Sequence, residues 1–80
     1  MPEVIPEYVL TVALDIASEV QLELPGDTRV VGRRKAQQRL FESAVAGDVI
    51  ITEHYVQDGR RFVAIVVYNR AQYDHARRES

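Results

Sequence analysis

The sequence predicts a small α+β domain in which one main helix packs on an antiparallel sheet. Period-two alternation runs through residues 8–24, one stretch near residues 33–46 has helical periodicity, and Asp58-Gly59 sits between two β-branched runs. Eighty residues make one domain, 1–80, with a thin core.

In the first third, Tyr8, Leu10, Val12, Leu14, Ile16, Val20, Leu22 and Leu24 alternate with Glu7, Thr11, Asp15, Glu19, Gln21 and Glu23. That is the pattern of one or two half-buried strands over about 8–24. A helix over 7–19 is the alternative, since Glu7, Thr11, Asp15, Ser18 and Glu19 also share a helical stripe behind Pro6. Strand is preferred: Val9, Thr11, Val12, Ile16 and Val20 are β-branched, and the alternation continues through VQLEL, where the helical stripe fails. DIASE, 15–19, is then the place for a turn or bulge, because an uninterrupted strand would be too long.

PGDT at 25–28 reads as a turn, followed by a short RVV and Gly32. The helix, about 33–46, groups Ala36, Leu40, Phe41, Ala44 and Val45 on one wide stripe, and Gly47 ends it. From Asp48 the chain reads as a hairpin, strands about 48–57 and 60–69, around a two-residue type I′ turn at Asp58-Gly59. Counting outward from that turn sets Tyr55 against Phe62, Thr52 against Ile65 and Val49 against Tyr68. Both faces of this hairpin are largely apolar, and one helix can cover only one of them. The C-terminal segment, sheet twist or a second subunit must shield the other. The tail, RAQYDHARRES, is a short helix or a frayed end.

The net charge of −2 hides a segregated map. Residues 1–28 carry acids only, residues 29–39 cations only, residues 40–59 acids again, and the last segment is mainly arginine. Such blocks favour the pairing of segments distant in sequence, within one chain or across an interface. Arg33, Arg34 and Lys35 fall in the first helical turn, where the helix dipole disfavours cations, so an anion is expected there. A carboxylate, with Glu19, Glu23 and Asp27 as first candidates, is preferred over phosphate. The candidate partner- or anion-binding residues are therefore Arg29, Arg33, Arg34, Lys35 and Arg39, with Arg60 and Arg61 beside the hairpin turn.

Catalytic and metal chemistry have little support in the sequence. There is no cysteine, neither His54 nor His75 has a second ligand at metal-binding spacing, and the glycines are isolated. Tyr73, Asp74 and His75 are contiguous, whereas catalytic triads draw on separate elements. No enzyme activity, cofactor or metal is expected. The N-terminus MPEVIPE is acidic where a secretory signal needs a basic start, and no apolar run has membrane-spanning length, so a cytoplasmic protein without a membrane partner is expected. The leading functional expectation is a non-catalytic protein-binding module: a small regulator or inhibitor of the kind phages encode, acting as a homodimer on a larger protein partner. The alternative is nucleic-acid binding, with the 29–39 cluster on phosphates.

Overall fold

Two tight turns and one interposed helix set the topology. The computed structural model describes residues 4–16 and 18–78, which form β1 (Tyr8–Ala13), β2 (Glu19–Leu24), β3 (Asp27–Gly32), α1 (Arg33–Val45), β4 (Val49–Gln57), β5 (Arg60–Tyr68) and α2 (Arg70–Arg78). The strands make one antiparallel sheet in the order β3-β2-β1-β5-β4. The α+β class is as expected, with strand rather than helix over the first third. The link between β1 and β2, residues 14–18, overlaps DIASE, whose Ala17 lies outside the described residues, as do Met1, Pro2, Glu3, Glu79 and Ser80.

β3 is a strand that the sequence reading did not assign. Reading PGDT as a four-residue turn left only RVV, but the loop is just Pro25-Gly26, with Gly26 at φ +78°, and Leu24 pairs directly with Asp27. A glycine at positive φ after proline needs no further residues to reverse the chain. The hairpin matches expectation pair for pair, from Val49↔Tyr68 to Gln57↔Arg60. Asp58 and Gly59 both take positive φ, +54° and +75°, as a type I′ turn requires.

Side-chain alternation divides the sheet into two faces. Tyr8, Leu10 and Val12 of β1 share one face with Val20, Leu22 and Leu24, with Val31, and with Val63, Ile65 and Val67. α1 packs there through Ala36, Leu40 and Ser43, closing a core in which Leu10 and Val67 are 1% and 0% exposed. The helix ends in paired reverse bonds, Asp48 N–H to Ser43 O at 3.0 Å and Gly47 N–H to Ala44 O at 3.1 Å, with Gly47 at φ +82°. This is a Schellman stop, which glycine makes without strain.

A polar cluster fastens α1 to β1. The Tyr8 hydroxyl lies 2.5 Å from Ser43 Oγ and donates to the Arg39 carbonyl at 3.2 Å, while the Arg39 guanidinium lies 4.9 Å from the Tyr8 ring centroid. Burial pushes the Tyr8 hydroxyl above the ordinary phenol range, against the hydrogen bond from Ser43. Because Arg39 stands four residues before Ser43, its carbonyl can accept from either hydroxyl. Tyr8→Phe and Ser43→Ala are each expected to cost about 1 kcal/mol, and the double variant less than twice that, because the Tyr8–Ser43 hydrogen bond is already lost in either single variant. Urea unfolding of the three variants measures this.

Candidate interaction surfaces

The cations singled out in the sequence do not form one cluster. Arg29 lies on β3, where its Nε bonds Asp27 Oδ2 at 2.7 Å, and Arg33, Arg34, Lys35 and Arg39 lie on α1. At 100° per residue these α1 cations spread around the helix. Arg33 borders the groove between α1 and β5, and Lys35 and Arg39 border the opposite flank beside Leu22 and Val31. Arg60 and Arg61 start β5, and Arg60 lines, with Arg29, a groove on the face of the sheet away from α1, beside Thr11, Gln21 and Phe62.

Among the described residues no carboxylate rests on the α1 N-terminus. Glu19 and Glu23 alternate with Val20, Leu22 and Leu24, so they project from the face opposite α1, while Asp27 is engaged by Arg29. Gly32 caps α1 without a side-chain hydrogen bond, and the first turn holds no acid. Among the described residues Arg33, Arg34, Lys35 and Arg39 have no carboxylate within ion-pair distance.

Segregated charge does meet in space at the hairpin tip. Arg60 donates to both oxygens of Asp15, Nε at 3.3 Å and Nη2 at 3.2 Å, and its guanidinium sits 5.4 Å from the Phe62 ring centroid. The Arg60 hydrogen bonds hold the Asp15 carboxyl below its ordinary value. A depressed folded pKa means the contribution is present above the unfolded value and is lost as pH falls through the folded one. An NMR titration is expected to find that Asp15 protonates at a lower pH in the wild-type chain than in Arg60→Gln.

The face of the sheet away from α1 is the larger feature. Its rows run Glu23, Val9, Val66, Ile51, then Gln21, Thr11, Ala64, Glu53, then Glu19, Ala13, Phe62, Tyr55. Across β1, β5 and β4 these side chains are apolar apart from Thr11 and Glu53, and the Tyr55 and Phe62 rings stack at 5.3 Å. α2 reaches only one corner, where Tyr73 meets Tyr68 with centroids 5.3 Å apart, while Ala76 is buried at the sheet end near Val4 and Pro6. Among the described residues no helix crosses the centre of this face. Acids stand at its rims, Glu19 and Glu23 on one side and Glu53 on the other, and the two arginines that border it, Arg60 and Arg29, are engaged by Asp15 and Asp27.

A second apolar surface lies on the α1 side. Phe41 and Val45 are 70% and 72% exposed, beside a groove of 440 Å³ lined by Leu10, Val12, Leu14, Leu40, Val63 and Ile65. The helical stripe assigned from sequence placed Phe41 and Val45 in the core. α1 instead makes its main contacts with β2 and β3, the strand it directly follows, and the flank that carries Phe41 and Val45, toward β1 and β5, stands off the sheet across this groove.

The described residues contain no group of three or more potential metal ligands, and no helix among them is long and apolar enough to cross a membrane. Compared with models of protein families, with curated proteins and with solved structures, the chain matches none.

Proposed function

We propose that this chain is a non-catalytic interaction module, a small regulator or inhibitor that docks a larger protein through the open face of its sheet. One observation carries the reading: an apolar surface spanning β1, β5 and β4 with no helix across its centre among the described residues. Contiguous apolar surface of this kind marks interaction sites in soluble domains. The acidic rim selects a partner surface that is apolar at its centre and basic around it. Val9 lies in the middle of the face, away from the α1 contacts. With the wild-type chain as bait in extracts of its own cells, a stoichiometric partner is expected, and Val9→Lys is expected to reduce its capture at least about 10-fold with an unchanged circular dichroism spectrum. Equal capture by the two chains removes the reading.

A second reading, nucleic-acid binding, is favoured by the absence of carboxylate partners for Arg33, Arg34, Lys35 and Arg39 among the described residues. Phosphates on these cations would give a steep salt dependence, roughly −0.9 in log K per log salt for each duplex phosphate neutralised. A mobility-shift titration with no binding at low salt eliminates it.

A further inference from the structure

The outer edge of β4 is a nine-residue strand without proline, lysine or glycine, and Glu53 is its one Asp, Glu, Lys or Arg residue. Natural edge strands are usually shortened, bulged, covered or charged to stop them pairing with other chains. β3, the opposite edge, has six residues, carries the Asp27–Arg29 ion pair and runs straight into α1. Of these devices β4 has only the single charge of Glu53.

Which backbone groups β4 offers follows from the turn. In a two-residue hairpin the closing pair, Gln57 and Arg60, is hydrogen-bonded, so Tyr55, Glu53, Ile51 and Val49 also bond to β5. The bond from Leu14 N–H to Arg61 O at 3.0 Å agrees, since it turns Arg61 toward β1. Ile50, Thr52, His54 and Val56 therefore direct N–H and C=O groups outward, with no strand beyond them among the described residues.

We infer that β4 pairs antiparallel with β4 of a second copy, about a two-fold axis through Thr52. This deepens the interaction-module reading by naming one partner, and it uses an edge distinct from the open face. Charge selects the register. An axis through Glu53 sets two carboxylates directly opposite each other, which destabilises the pair. An axis through His54 sets Glu53 against Tyr55 and leaves Asp48 outside the paired stretch.

An axis through Thr52 sets Thr52 against its own copy and Val49 against Tyr55, with Ile50 opposite His54 and Ile51 opposite Glu53. Asp48 then faces Val56 of the second copy, which is 67% exposed in the single chain and is the cross-strand neighbour of Arg61. An anion and a cation thus close each end of the strip, giving the self-complementarity that a two-fold contact needs. The axis is perpendicular to the sheet, so both α1 helices lie on one side and both open faces on the other.

The chain lacks cysteine, so single thiols at Thr52, Glu53 and His54 report the register directly. Sedimentation is expected to give twice the 9.1 kDa mass at about 100 μM. Thr52→Cys is expected to form a disulfide dimer faster than Glu53→Cys or His54→Cys, because an opposed pair brings its Cα atoms to about 5.5 Å. Thr52→Pro removes an outward N–H without touching the β4–β5 ladder, and should give a monomer with the same circular dichroism spectrum. Should that variant misfold, Thr52→Glu places like charges opposite each other and gives the same expected loss of dimer. A wild-type monomer, a folded Thr52 variant that remains dimeric, or fastest crosslinking at position 53 or 54 overturns the inference. Partner capture through the open face is read separately with Val9→Lys, so either proposal can fail alone.

Discussion

Leu10→Ala is expected to lower the free energy of unfolding by about 2–5 kcal/mol. Leu10 is 1% exposed, on the strand that lies between β2 and β5, and it stands in one row with Leu22 and Ile65. Removing its branched end deletes buried apolar surface and leaves a void that surrounding strands, fixed by their hydrogen bonds, can only partly close. A domain of this length holds roughly 4–12 kcal/mol in total, so the loss takes a large share of it. Thermal melting should show a midpoint at least about 10 °C lower, whereas the exposed Val45→Ala should change stability by no more than about 0.5 kcal/mol. Equal effects at the two positions would mean that the core is not centred on β1.

Ile65→Pro is expected to abolish folding. β5 is paired on both sides, with β1 and with β4, so each of its amides serves one neighbour or the other. By the alternation set at the hairpin turn, the Ile65 N–H faces β1, opposite Leu10. Proline there deletes that bond, forces φ away from the extended value and removes an apolar side chain packed against the core. The combined cost is at least about 3 kcal/mol from the backbone alone, before the lost packing is counted. Far-UV circular dichroism and amide exchange are expected to report an unfolded chain at the temperature where the wild type is fully protected.

Local signals made most of the fold legible in the sequence. The I′ turn at Asp58-Gly59 fixed the hairpin register, and Gly47 fixed the end of α1, because each acts through the backbone of its own neighbours. β-branched residues correctly outweighed the helical stripe over 7–19. What escaped depended on distant partners. β3 has only six residues and was hidden by a turn two residues shorter than its sequence suggested. Phe41 and Val45 have the periodicity of core residues, yet their burial depends on which strands lie beneath the helix, and periodicity does not carry that.

The charge map was legible in the same uneven way. Acidic and basic segments do meet, as Asp15 and Arg60 at the hairpin tip, but not where the helix dipole directed attention. Glu19 and Glu23 fail as partners for α1 because two strand positions of alternation turn them to the other face. Their place is on the rim of the surface proposed to bind a partner.

The position of β1 also bears on how the chain is made. β1 pairs with β2 a few residues later, but its other neighbour begins at Arg60, and Tyr8 must find Val67. As the protein leaves the ribosome, the β1-β2-β3 meander and α1 emerge with the future central strand still an open edge. Such a long closure slows folding and exposes an apolar strand while the last third is synthesised. The nascent chain is therefore expected to depend on chaperones until β5 is complete.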